Sequence, residues 1–261
     1  MLSVLDLFRI GIGPSSSHTV GPIRIAGRFL AELEQSGVLA RTERIEVELQ
    51  GSLALTGAGH ATPKAVMLGL LGLDPETLDP EDADNRVAAL EQSRTLPLPD
   101  GRRIAFDPAR DIRFAYEVLP KLHPNGMRLR AFAGDGAELA DNTWYSTGGG
   151  FIASQRQLER PVVDDIVPSG QAVQFPFISA AELLAVCKQE GLPIDAVVMA
   201  NEGAKRAAEA TNAALDRIAG VMMACIDRGL SRTGTLPGSL KVRRRAPEIW
   251  QKLKKDRKSV V

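Results

Sequence analysis

The sequence predicts an α+β fold, with a sheet-bearing N-terminal region and a helical C-terminal one. Strictly alternating apolar runs at 44–50 and 112–118 call for half-buried strands. The run IRIAGRFLAEL carries its apolar residues at helical spacing. After residue 151 the alternating pattern gives way to polar, proline-punctuated chain and then to helical periodicity.

In order along the chain, Ile23, Ala26, Phe29, Leu30 and Leu33 share one helical face, and Pro22 suits the first helical position. RIEVELQ puts Ile45, Val47 and Leu49 on one side of a strand. Thr62-Pro63 reads as an N-cap and first-turn proline for an apolar helix through Leu73. Ile112, Phe114, Tyr116 and Val118 alternate as a second strand. A strand at Met127–Phe132, a Gly134-Asp135-Gly136 turn and a strand at Glu138–Tyr145 make a hairpin. Residues 152–178 form the expected linker between a domain at 1–151 and a helical region at 179–261. Ser179 with Glu182 is a capping box opening a helix to Gln189. From Pro193 the chain reads helical to about Arg228, with an apolar stripe at Leu215, Ile218 and Met222. This last region is marginal in length for an independent core.

The chain has 261 residues, 44% hydrophobic and 25% charged, which excludes disordered and fibrous classes. Its longest apolar run, Ala65–Leu73, is far short of a membrane span. Asp6 interrupts the apolar N-terminus and no basic segment precedes it, so no secretory signal is visible. Two cysteines, Cys187 and Cys225, make no disulfide framework and read as buried small hydrophobes of a cytoplasmic protein. Formal net charge is zero, yet residues 241–261 hold nine Lys/Arg against Glu248 and Asp256, leaving 23 against 30 elsewhere. That basic tail lacks interleaved aromatics and reads as a solvated helix or an interaction tail, so neither nucleic acid nor membrane is expected as a partner.

The densest polar feature is GIGPSSSHTVGP. Ser15, Ser16, Ser17, His18 and Thr19 stand just before a helix start, where unpaired N–H groups and the helix dipole favour an anion. A simple cap needs one hydroxyl, and this loop offers four. The three histidines of the chain, His18, His60 and His123, all lie in glycine- or proline-bounded loop contexts. His60 closes GSLALTGAGH just before a helix start, as His18 does, and such a histidine suits acid–base or orienting work. His123, in LPKLHPNGM, fits a structural turn better. Gly148, Gly149 and Gly150 permit positive φ and close approach of a ligand, or simply a flexible strand exit. GxGxxG, Walker, HExxH and GxSxG patterns are absent from the sequence, leaving nucleotide, zincin and α/β-hydrolase readings without support.

Together SVLDLFRIGIGPSSSHTVGPIRIAG, GSLALTGAGHAT, LHPNGM, YSTGGGF and ACIDRGL…GTLPGSLKVRRRA resemble the bacterial iron–sulfur-dependent L-serine dehydratases (L-serine ammonia-lyases), from residue 2 to about 250. The resemblance implies a β domain akin to the allosteric-substrate-binding fold, followed by the start of a larger helical α domain. It implies pyridoxal-phosphate-free conversion of L-serine to pyruvate and ammonia in serine catabolism, by a homodimeric enzyme. A [4Fe–4S] cluster would act as Lewis acid on the β-hydroxyl. Carried over, Ser15, Ser16, Ser17, His18 and Thr19 line the serine pocket, with His60 and His18 as catalytic residues. His123, Asn125 and Gly148–Gly150 also match substrate-binding motifs. Asn201-Glu202 resembles a paired polar motif of the α domain, against a solvent-facing helix turn as the plain alternative. Cys187 and Cys225 match positions that are not cluster ligands, and the ligating cysteines are expected beyond Val261. The expectation is therefore a truncated chain, inactive alone and lacking its α-domain half. A stand-alone small-molecule or anion-binding regulatory module is the competing reading.

Overall fold

A computed structural model describes residues 3–8, 10–13, 15–160, 172–236 and 241–258. The chain divides into two units: Ile10–Arg160 with 238–240, and residues 1–9, 161–237 and 241–261, whose described part after residue 172 is helical.

The first unit is α+β. Its sheet has five strands in the order β4-β1-β5-β6-β7, where β1 is Arg44–Gly51, β4 Ile112–Ala115, β5 Asn125–Phe132, β6 Glu138–Gly148 and β7 Phe151–Ser154. Only the β1–β4 pair is parallel. The crossover between them carries α2 (Ser52–Leu55), α3 (Thr62–Leu70), α4 (Pro80–Ser93) and a small hairpin of β2 (Thr95–Pro97) and β3 (Arg103–Ala105). Parallel pairing requires such a long return path.

One sheet face is the core. Ile45, Val47 and Leu49 of β1 stand beside Leu129 and Met127 of β5, and are buried with Ile23, Phe29 and Leu33 of α1 (Gly21–Gln35). Helix α3 joins them through Ala65, Val66 and Leu68. Because side chains alternate, the opposite face takes Glu46, Glu48, Arg128 and Arg130. These are paired as Glu46–Arg130, Glu48–Arg113 and Arg128–Asp141. Tyr116 and Val118 lie past the end of β4, so the second alternating run yields a shorter strand than the pattern suggests. The segment expected as linker opens with β7 and with a short helix, Gln155–Glu159, which carry the sheet unit to Arg160. Residues 161–171 of that segment lie outside the described residues.

In the helical unit, helices run Ala180–Glu190, Ile194–Glu202, Ala208–Ser231 and Ala246–Lys258. The expected helix from Pro193 is thus broken at 203–207. Ser179 caps the first helix by accepting the Glu182 N–H, while the Glu182 carboxylate reaches back to the Ile178 N–H, one residue further than a capping box requires. Cys187 is half-buried and Cys225 exposed, so the reading of both as buried small hydrophobes is corrected. Asn201 and Glu202 are buried, which overturns the solvent-facing alternative. The Asn201 amide bonds both the N–H and the C=O of Phe175, at 2.8 and 2.7 Å. Glu202 accepts from Ser3 Oγ at 2.7 Å, the Val4 N–H at 2.9 Å and Arg206 Nη1 at 2.6 Å. Among the described residues, no helix is long and apolar enough to cross a membrane.

Candidate functional site

Strand direction gathers the site at one end of the sheet. The end of β1 at Gly51 pairs with the start of β5 at Asn125, and β6 finishes beside them, with Gly126 opposite Tyr145. At Gly51 the chain leaves β1 with φ 54° and ψ −125°, a conformation essentially reserved for glycine. A side chain there would also sit 2.3 Å from the Pro124 carbonyl. This turn delivers Ser52 to the sheet end, where its N–H donates to Pro124 O at 2.8 Å.

The serine loop forms a single π-helical turn, Ser16–Val20, running straight into α1. Such turns recur at functional sites because they re-aim side chains within a helix. Ser15 caps it. Its hydroxyl accepts the His18 N–H at 3.2 Å, and its carbonyl accepts those of Thr19 and Val20. The Gly21 N–H is taken by Ser16 O. The amides expected to greet an anion at 18–21 are thus satisfied within the loop, and its side chains carry what chemistry it offers. Gly21 admits close packing: a Cβ there would lie 2.0 Å from Ser146 Oγ on β6. Ser146 is fully buried and its hydroxyl has no hydrogen-bond partner among the described residues.

Two imidazoles meet above this turn. The His18 and His60 ring centroids are 4.7 Å apart, tilted by 35°. Backbone-directed bonds stitch the two loops together: Thr62 Oγ1 donates to His18 O at 2.8 Å and Thr19 Oγ1 to His60 O at 3.4 Å. Thr62 was expected as the N-cap of α3. Ala61 holds the cap position instead, in the left-handed region at φ 56°, freeing the threonine hydroxyl for His18. His18 Nδ1 lies 2.9 Å from Ser17 Oγ, itself 3.3 Å from Ser15 Oγ. His18 Nε2 lies 3.1 Å from Ser52 Oγ and 3.0 Å from Thr56 Oγ1. His60 Nδ1 is 2.9 Å from the Thr56 carbonyl oxygen. Burial first, and the neighbouring His60 second, hold the His18 ring below the usual histidine range, partly countered by a hydrogen bond at Ser52.

The structure therefore brings Ser15, Ser17, His18, Thr19 and His60 together, while the Ser16 side chain is exposed and takes no part in this network. Asn125 is buried at the same sheet end, its amide donating to Ser146 O at 3.0 Å. His123 Nδ1 accepts the Asn125 N–H at 3.2 Å, and burial lowers its pKa. Gly148, Gly149 and Gly150 all have positive φ, and Arg24 of α1 donates to Gly150 O at 2.6 Å. Sequence reasoning missed Ser52 and Thr56. The signal was present in GSLALTGAGH, since positions i and i+4 of one helical turn bring two hydroxyls to the same side.

Residues 3–157 match the family described as serine dehydratase beta chain. Over 257 residues the chain is 44% identical to the L-serine dehydratase of Streptomyces coelicolor, covering 98% of this chain and 55% of that one. It is 42% identical to L-serine dehydratase TdcG of Escherichia coli (97% and 54% covered) and 36% to the L-serine dehydratase of Helicobacter pylori (97% and 54%). The chain spans about half the length of these curated relatives.

Proposed function

This chain belongs to the serine dehydratase beta-chain family, and from that premise we propose that it supplies the hydroxyl loop and the proton acceptor of a cytoplasmic L-serine ammonia-lyase. The observation that carries this reading is the bond from His60 Nδ1 to a backbone carbonyl. A carbonyl only accepts, so Nδ1 holds the proton and the neutral ring keeps its lone pair at Nε2. In this reading His60 Nε2 takes the α-proton of L-serine. The C–H electron pair becomes the Cα=Cβ bond as the β-hydroxyl departs with its own pair. The resulting aminoacrylate tautomerises to an imine, and water releases pyruvate and ammonia. His18 and the hydroxyls of Ser15, Ser16, Ser17 and Thr19 orient the substrate. Asn125, His123 and the Gly148–Gly150 turn form the remaining wall.

The family resemblance assigns activation of the leaving hydroxide to a [4Fe–4S] cluster. The described residues do not fit one. Cys187 and Cys225 lie on different helices, and no group of three or more His, Cys, Asp or Glu side chains is placed to hold a metal among them. Binding, orientation and proton acceptance are the tasks left to this chain. A larger helical domain and a homodimeric assembly complete the enzyme in this reading.

Calorimetric titration of the purified chain with L-serine tests it. Binding without pyruvate release is expected, and Ser52→Ala weakens it on the order of tenfold, the loss of one hydrogen bond to a charged group. Absence of L-serine binding overturns the reading, and so does pyruvate release by iron-free chain. Equal binding of unrelated small carboxylates favours the regulatory anion-binding module instead.

A further inference from the structure

We propose that Thr56 is a positioning residue that fixes the protonation pattern of both imidazoles. The inference rests on the reading of His60 as proton acceptor and adds the group that keeps it one. Thr56 ends the short turn of α2, and its side chain does not serve the core, because the residue is exposed. Its hydroxyl lies against the His18 ring and its carbonyl against the His60 ring.

Thr56 has one hydroxyl proton, and it donates to Ser52 O at 2.9 Å, an acceptor-only partner. Thr56 Oγ1 can then only accept from His18 Nε2, 3.0 Å away. His18 Nε2 therefore carries a hydrogen, and in the neutral ring Nδ1 is bare. The hydrogen at Nδ1 must come from Ser17 Oγ at 2.9 Å, which leaves Ser17 Oγ to accept from Ser15 Oγ at 3.3 Å. The polarity of the whole chain, Ser15 to Ser17 to His18 to Thr56 to the Ser52 carbonyl, follows from that one commitment. Ser52 Oγ, 3.1 Å from the same Nε2–H, likewise accepts, so its own proton points elsewhere and suits a substrate oxygen. Through its carbonyl, Thr56 imposes the opposite pattern on His60, with Nδ1 protonated and Nε2 bare. One residue thus sets adjacent rings to opposite tautomers. His18 has no unoccupied lone pair and His60 has one, which separates an orienting histidine from a proton-accepting one.

Long-range ¹H–¹⁵N spectra of the histidine-labelled chain, recorded where both rings are neutral, read these states directly. Wild type is expected to show a protonated Nε2 on His18 and a protonated Nδ1 on His60. Thr56→Val keeps the shape and the carbonyl but removes the hydroxyl. The His60 pattern is then expected to persist, while His18 Nε2 moves toward the bare-nitrogen position as Ser52 becomes free to donate. Thr56→Ser restores the wild-type pattern. The L-serine Kd is expected to rise on the order of tenfold in Thr56→Val and to recover in Thr56→Ser. A wild-type His18 protonated at Nδ1, a valine variant with unchanged spectra, or an unchanged Kd beside altered spectra each overturns the proposal. If the valine variant does not fold, the wild-type and serine spectra still decide the polarity. The spectra need no substrate, so a wild-type chain with the expected tautomers that fails to bind L-serine refutes the functional reading alone.

Discussion

The sheet unit and the helical unit use their apolar residues differently. In the sheet unit, Phe29, Ile45, Leu49, Leu68 and Met127 are at most 1% exposed, closed in by α1 and α3 on one sheet face. In the helical unit, Val197 and Pro247 are the buried apolar residues among the described residues. The long helix Ala208–Ser231 leaves Met222, Met223 and Ile226 more than half exposed. What fixes that unit locally is polar: Glu202, holding Ser3, Val4 and Arg206. A closed apolar layer supports a fine-tuned hydroxyl network at its edge. A set of bare helices relies on caps, intrinsic propensity and a few buried polar contacts.

Substitutions sharpen the contrast. Phe29→Ala is expected to destabilise the sheet unit by about 3–5 kcal/mol, whereas Met222→Ala stays within about 0.5 kcal/mol because it empties no cavity. Chemical denaturation followed by tryptophan fluorescence at Trp144 and by helical circular dichroism separates the two. Similar losses for both variants would erase the distinction. Next in size, Glu202→Ala leaves the Ser3 hydroxyl, the Val4 N–H and the Arg206 guanidinium short of an acceptor, at a cost of about 1–3 kcal/mol. Hydrogen exchange should rise in residues 3–8 and 172–206 and stay unchanged in β1 and β5. Protection lost across the sheet instead would show that the two units do not respond separately.

The smallest effect is a pH dependence. The folded His18 ring has a pKa below its ordinary 6.5, so the unfolded chain binds more protons at that site as pH falls. The stabilisation is fully present above about 6.5 and is lost as pH drops toward the lower folded value. His123, whose pKa burial also lowers, acts in the same direction. The Tm should decline on acidification below about 6.5, and His18→Asn should flatten part of that slope. A wild-type Tm that rises on acidification through this window would contradict the neutral, buried His18.

Much of this was legible in the residues themselves. Alternation in RIEVELQ gave β1 and its buried face, and helical spacing in IRIAGRFLAEL gave α1, because apolar period reports which face meets the core. The serine loop and His60 stood out as polar chemistry beside helix starts. Other features were invisible to such reasoning. The hairpin β2–β3 and strand β7 are three or four residues long, too short for a period to register. Ser52 and Thr56 looked like ordinary turn residues, because a hydroxyl's role depends on the partner brought to it.

By itself, then, the sequence determined the α+β class, the main strands and helices of the sheet unit, and the family to which its motifs point. Local periodicity and steric preference are enough for that. Only the tertiary structure decided that His18 and His60, 42 positions apart, become neighbouring rings, and that the loop amides are spent within the loop while the Ser17 and Thr19 hydroxyls bond the His18 ring and the His60 carbonyl. It also decided that Glu202 is a buried anchor. Each of these turns on which donor finds which acceptor across the fold, and hydrogen-bond partnership is a property of positions in space that no spacing along the chain encodes.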